Sequence, residues 1–165
     1  MGSFSRTMSR FPQSLNLVSN AFQEEAISDL SLVRILVVDD FVDWQRCVCD
    51  HLQQNRRFHV IAVASDGFEA VQKAQELQPD LILLDIGLPL LDGIAAARQI
   101  RKVAPDSKIL FLTQELDPAV AQAALSSGGD GYVIKSHATQ ELVAAIEAVL
   151  LGKKFVSARL TDRGF

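Results

Sequence analysis

The sequence predicts an α/β fold, a doubly wound sheet of five parallel strands in the order 2-1-3-4-5 with helices on both faces. Three observations predict it. Short, unbroken apolar runs such as LILL, Leu81 to Leu84, read as strands buried on both faces, as parallel strands are. These runs alternate without exception with stretches whose apolar residues recur at helical spacing, the signature of strand–helix–strand crossovers. Each crossover is right-handed and returns its helix to the sheet, so successive helices cover both faces.

The elements follow in order. Strand one is RILVVDD, Arg34 to Asp40, and its helix carries Trp44, Cys47, Val48 and Leu52 inward before Asn55, Arg56 and Arg57 end it. Strand two is FHVIAVA, Phe58 to Ala64. Asp66 and Glu69 cap the second helix, whose inner stripe is Ala70, Val71, Ala74 and Leu77, and Pro79 marks the return. Strand three runs into Asp85. Gly87 and Pro89 restrict the exit, and Asp92 with Gly93 caps a third helix with Ile94, Ala97, Ile100 and Val103 on one side. Strand four is KILFLT, Lys108 to Thr113; Asp117 and Pro118 start the following helix, and Gly128 with Gly129 stop it. Strand five is GYVIK, Gly131 to Lys135. The last helix runs from Thr139 to Leu151 with Leu142, Val143, Ile146, Val149 and Leu150 inward, and Gly152 closes it.

Residues 33–152 thus form one domain, and 165 residues leave no room for a second of ordinary size. Residues 1–32 read as an N-terminal arm: its first part is serine-rich with Arg6 and Arg10 and no acid, and a short helix begins at Asn20 and Gln23 with the stripe Phe22, Ala26, Ile27 and Leu30. Residues 153–165 read as a C-terminal tail. The net charge of −4 argues against direct nucleic-acid binding, which would call for a clustered basic face. No apolar run approaches the ~20 residues of a membrane span, and the N-terminus lacks the apolar core of a signal peptide. Cys47 and Cys49, two apart on a helix, suit neither a disulfide nor a metal pair. Buried or half-buried free thiols in a reducing, cytoplasmic setting are the expectation.

In the order 2-1-3-4-5, strands one and three are neighbours beside the point where the winding reverses, the usual ligand site of open α/β sheets. Their carboxyl ends bring Asp39, Asp40 and Asp85 together, and Thr113 and Lys135 reach the same rim. Three carboxylates at such range repel one another unless positive charge sits among them. Lys135 supplies one charge, and Mg²⁺, which takes carboxylate, carbonyl and water oxygens, suits the remainder. Asp85, alone at its strand end, is then placed as a nucleophile toward phosphorus, with Lys135 and the Thr113 hydroxyl on the phosphoryl oxygens.

VVDD, LLDIGLP followed by LLDG, FLT and GYVIK, in this order, resemble the receiver domain of bacterial two-component response regulators, a flavodoxin-like fold, over Arg34 to Leu151. The resemblance implies that Asp85 accepts a phosphoryl group from a histidine kinase or phosphotransfer protein. It implies that Asp39, Asp40, Asp85 and the Gly87 backbone carbonyl hold Mg²⁺, that Thr113 and Tyr132 switch, and that Lys135 pairs with the phosphoryl. Thr113 would be drawn inward and leave space for the Tyr132 ring to bury. Output would pass through helix four, strand five and helix five to a partner or a second copy. The protein would be no turnover enzyme, only a self-catalysed phosphoacceptor that dephosphorylates itself.

Ser136 stands where much of the family has proline after a cis bond, so a trans bond is expected after Lys135. The Asp66 to Gly93 stretch, Gln114 and the FVS near the end are closer to receivers of helix-turn-helix transcription regulators. A DNA-reading domain needs about 60 further residues. A stand-alone receiver, a truncated DNA-binding regulator and a degenerate receiver that only binds proteins are therefore the alternatives. A haloacid-dehalogenase-like phosphatase would want a second aspartate where Gly87 stands.

Overall fold

In the computed structural model, residues 31–165 are described, and Leu32–Phe165 form one compact unit. The arm expected over residues 1–32, with its helix from Asn20, lies outside the described residues except for its last two positions. The elements are β1 (Val33–Val38), α1 (Val42–Gln53), β2 (Phe58–Ala64), α2 (Gly67–Leu77), β3 (Leu81–Leu84), α3 (Gly93–Val103), β4 (Lys108–Thr113), α4 (Pro118–Ser126), β5 (Gly131–Ile134), a 3₁₀ turn (Lys135–His137), α5 (Ala138–Leu150), β6 (Phe155–Val156) and α6 (Ala158–Thr161).

All pairings are parallel, in the order β2-β1-β3-β4-β5-β6. The expected order of the first five strands holds, but the sheet has six strands rather than five. The sixth comes from the stretch read as a tail: Gly131 and Tyr132 of β5 pair with Phe155 and Val156. A two-residue strand has too little length to show a period, so only its neighbour reveals it.

Alternation along the strands divides the core. Leu36, Val38, Ile82, Leu84, Ile109, Phe111, Tyr132 and Ile134 point to the face covered by α2, α3 and α4. Ile35, Val37, Leu81, Leu83, Leu110, Leu112 and Val133 point to the face under α1 and α5. Each wholly buried large aliphatic contributes about 1.5–3 kcal/mol, which is why the strands carry almost nothing else.

The helix caps follow the sequence. Asp66, Asp92 and Asp117 accept from the amides of Glu69, Ala95 and Ala119, respectively. Two inner stripes need correction. On α1 it is Gln45, Val48 and Leu52 that are buried, while Cys47 is exposed and Cys49 half-buried. On α5, Val143 is exposed and Ala138 and Ala145 take its place beside Leu142, Ile146 and Val149. On α1, Gln45 keeps the helical period with Val48 and Leu52, and on α5 the small side chains of Ala138 and Ala145 let the helix sit close to the sheet. Among the described residues no helix is long and apolar enough to cross a membrane.

Candidate functional site

β1 and β3 lie side by side in register, Val38 opposite Leu84, and the Asp85 amide continues the ladder to the Val38 carbonyl at 3.0 Å. The two chains therefore leave the sheet together, and the aspartates just beyond them meet. Oxygens of Asp39, Asp40 and Asp85 lie within 4.8 Å of one another. Asp39 and Asp85 are buried, 3% and 7% exposed, whereas Asp40 faces solvent.

Lys135, delivered by the end of β5, sits between the buried pair. Its Nζ lies 2.5 Å from Asp39 Oδ2 and 3.0 Å from Asp85 Oδ2. The other Asp85 oxygen accepts from the Ile86 amide at 2.8 Å, and Asp39 Oδ1 accepts from the Phe41 amide at 2.9 Å. Burial pushes the Asp39 carboxyl above its ordinary value; Lys135 and the Phe41 amide pull it back, and the Asp85 charge adds to the rise. The peptide bond after Lys135 is trans, as expected from Ser136.

The loop after β3 is held by close backbone packing. The Gly93 amide donates to the Ile86 carbonyl at 2.9 Å, and a Cβ on Gly93 would stand 1.9 Å from the Asp85 carbonyl oxygen. Glycine is required there for contact, not for torsion. Gly87 lines the cleft with open space where its side chain would be, so its backbone is accessible.

Thr113 ends β4, is 3% exposed, and lines the same cleft as Asp39, Asp40, Asp85, Gly87 and Lys135. Its hydroxyl accepts from the Glu115 amide at 3.3 Å. All the residues predicted to share one rim are thus brought together. Tyr132 lies in the interior: its ring is fully buried, 6.2 Å from that of Phe111, and its hydroxyl donates to the Glu115 carbonyl at 3.0 Å. Burial holds the phenol well above its usual pKa, so it is neutral. The ring thus occupies the buried position for which the sequence reading expected Thr113 to make room.

Two supporting residues escaped the sequence reading. The buried Gln45 amide donates to the backbone carbonyls of Asp39 and, at 3.0 Å, Ala64, which ties β1 to β2 at the acidic corner. Its place at i−3 and i−7 from Val48 and Leu52 was the available signal. The Trp44 ring lies 5.4 Å from Lys135 Nζ, a cation–π contact on the outer side of the lysine.

Comparison with known proteins agrees with this arrangement. Residues 35–147 match the model of the response regulator receiver domain. The chain is 33% identical over 130 residues to the transcriptional regulatory protein LnrK of Bacillus subtilis, covering 79% of this chain and 59% of that protein. It is also 33% identical to the oxygen regulatory protein NreC of Staphylococcus epidermidis, covering 78% of this chain and 60% of that protein. The chain thus spans about three fifths of the length of these curated relatives. Among solved structures, a two-component response regulator of the LuxR family from Aurantimonas sp. superposes with a TM-score of 0.77 at 35% identity, covering 80% of this chain and 94% of the other. The response regulator domain of Thermotoga maritima CheB superposes with a TM-score of 0.69 at 30% identity, covering 73% and 97%. With the acid pair, the lone aspartate, the hydroxyl and the lysine gathered at one sheet edge, the chain belongs to the response regulator receiver domain family.

Proposed function

We propose that the protein is a phosphoacceptor switch of a cytoplasmic two-component relay, in which Asp85 takes a phosphoryl group from a histidine kinase or phosphotransfer protein. The observation that carries this reading is Lys135 bridging Asp39 and Asp85 at 2.5 and 3.0 Å. A lysine in that position offsets the negative charge of the paired carboxylates and lies where a phosphoryl oxygen on Asp85 would need a cation.

The donor set also fits Mg²⁺: hard oxygen ligands from Asp39, Asp40 and Asp85 stand within 4.8 Å of one another beside the open Gly87 backbone. When bound, the ion supplies the positive charge that lets these carboxylates and the incoming phosphate oxygens share the cleft. The chain does the rest. The Ile86 amide and Lys135 hold the two Asp85 oxygens in a fixed orientation. Thr113 offers a hydroxyl that can leave the Glu115 amide for a phosphoryl oxygen. Hydrolysis of the acyl phosphate on Asp85 releases inorganic phosphate and resets the site.

Output through α4, β5 and α5, to a partner or a second copy, is supported by one linkage. Tyr132 on β5 is hydrogen-bonded to Glu115, in the loop that follows Thr113 and leads to α4. A move of Thr113 toward a phosphoryl therefore disturbs a loop that β5 also holds.

The test is incubation with a small phosphodonor and Mg²⁺, followed by intact-mass measurement. Wild type should gain one phosphoryl and Asp85→Asn none; equal labelling of the two would sink the assignment. Mg²⁺ titration followed by fluorescence of Trp44, the single tryptophan, should show weaker binding in Asp40→Ala.

A further inference from the structure

The segment after α5 reaches back toward the acidic cleft. β6 pairs with β5, the Ser157 amide donates to the Tyr132 carbonyl at 2.8 Å, and the Ala158 amide donates to Glu141 Oε1 at 3.2 Å. Leu160 is fully buried in the same cluster as Tyr132 and Ile134. Arg159 lies between these anchored positions, exposed, and among the described residues it has no carboxylate partner.

Arg159 lines a second crevice, of about 400 Å³, with Trp44, Gln114, Leu116, Ile134, Lys135 and Ser136. Trp44, Gln114 and Lys135 also line the acidic cleft, so the two spaces adjoin. Trp44, Leu116 and Ile134 contribute apolar lining to the crevice, and Arg159 contributes a guanidinium whose planar fork matches a carboxylate.

We propose that this crevice receives the carboxylate leaving group of a small acyl phosphate, and that Arg159 is the positioning residue that makes the protein prefer acyl phosphates among small phosphodonors. The proposal rests on Asp85 being the phosphoacceptor. In the transfer, an Asp85 carboxylate oxygen forms a bond to phosphorus while the bond from phosphorus to the acyl oxygen breaks. The electron pair stays on that oxygen, the group departs as a carboxylate anion, and no proton is needed. The leaving oxygen develops negative charge opposite the attacking one, while Lys135 and Thr113 serve the equatorial oxygens. Arg159 answers the leaving charge, and the apolar wall takes the acyl chain. A donor whose leaving group departs as neutral ammonia, such as phosphoramidate, gains nothing from Arg159.

The experiment measures phosphorylation of the full chain in Mg²⁺ by intact mass against donor concentration, with acetyl phosphate and with phosphoramidate, for wild type, Arg159→Gln and Arg159→Lys. Arg159→Gln should lower the maximal rate with acetyl phosphate about threefold to fivefold, the scale of a solvent-accessible ion pair, with the half-saturating concentration within about twofold. Phosphoramidate kinetics should not change, and Arg159→Lys, which keeps the charge without the fork, should recover part of the loss. An equal effect on both donors, or none on either, overturns the subsite. If neither donor labels wild type, the phosphoacceptor reading falls and takes the subsite with it; if both label wild type but not Asp85→Asn, only the Arg159 outcome decides.

Discussion

The Tyr132 hydroxyl donates to the Glu115 carbonyl at 3.0 Å, which joins the fifth strand to the loop that leaves Thr113 for α4. One end of the tyrosine is locked in the core against Phe111, and the other is bonded to the connection between β4 and α4. A buried phenol needs such a partner.

Tyr132→Phe keeps the ring and removes the bond. It should lower stability by about 1 kcal/mol, measured by denaturant melting, and should speed amide exchange at Leu116 and Asp117 more than elsewhere. Unchanged exchange in that loop would show that the bond does not tie it to β5.

Lys135 is the only cation close to the buried carboxylates among the described residues. Lys135→Ala should cost about 3 kcal/mol at neutral pH in metal-free buffer, because two carboxylates are left facing each other. The sign of the pH dependence follows from Asp39, whose carboxyl is already held above its ordinary value near 3.8, first by burial. A proton bound more tightly by the folded chain favours folding below the ordinary value, and that contribution is lost as pH rises through the raised one. Removing Lys135 raises it further, so the variant should regain stability as the solution is acidified over the range where wild type gains less. Parallel stability–pH curves for the two proteins would contradict this.

Gly93→Ala places a methyl 1.9 Å from the Asp85 carbonyl oxygen, against backbone that has no room to yield without moving Asp85 itself. A loss of about 2–3 kcal/mol is expected, together with slower phosphorylation. Gly87→Ala, with open space around it, should leave stability within about 0.5 kcal/mol. The contrast between the two glycines is the check.

Leu160 sits fully buried with Tyr132 and Ile134, although it lies only five residues before the last residue of the sequence. Leu160→Ala should destabilise the whole domain by about 3 kcal/mol in a single transition. A loss below about 0.5 kcal/mol would mean that the segment is not part of the core.

The apolar runs determined the strands by themselves, because a strand covered on both faces admits almost no polar residue from Val33 to Val38 or from Leu81 to Leu84. Strict alternation with amphipathic helices determined that the strands run parallel, and the expected order 2-1-3-4-5 is one of the two common orders of such a sheet. That order placed Asp39, Asp40, Asp85, Thr113 and Lys135 at one edge before any coordinate was known. Cap residues at Asp66, Asp92 and Asp117 were equally legible, since a cap is a local bond between a side chain and an amide two or three residues on. Tertiary structure alone decided the rest. Gln45 rather than Cys47 turns inward because carbonyls of two different strands wait for its amide. Tyr132 is buried because Glu115 offers it an acceptor across 17 residues of chain. Phe155 and Val156 become a strand, and Arg159 comes to line a crevice beside the cleft, only because β5 has a free edge for them to complete. These features depend on partners distant in sequence, and a pattern read along the chain registers period and local bonding but not which distant groups the folded sheet will bring within reach.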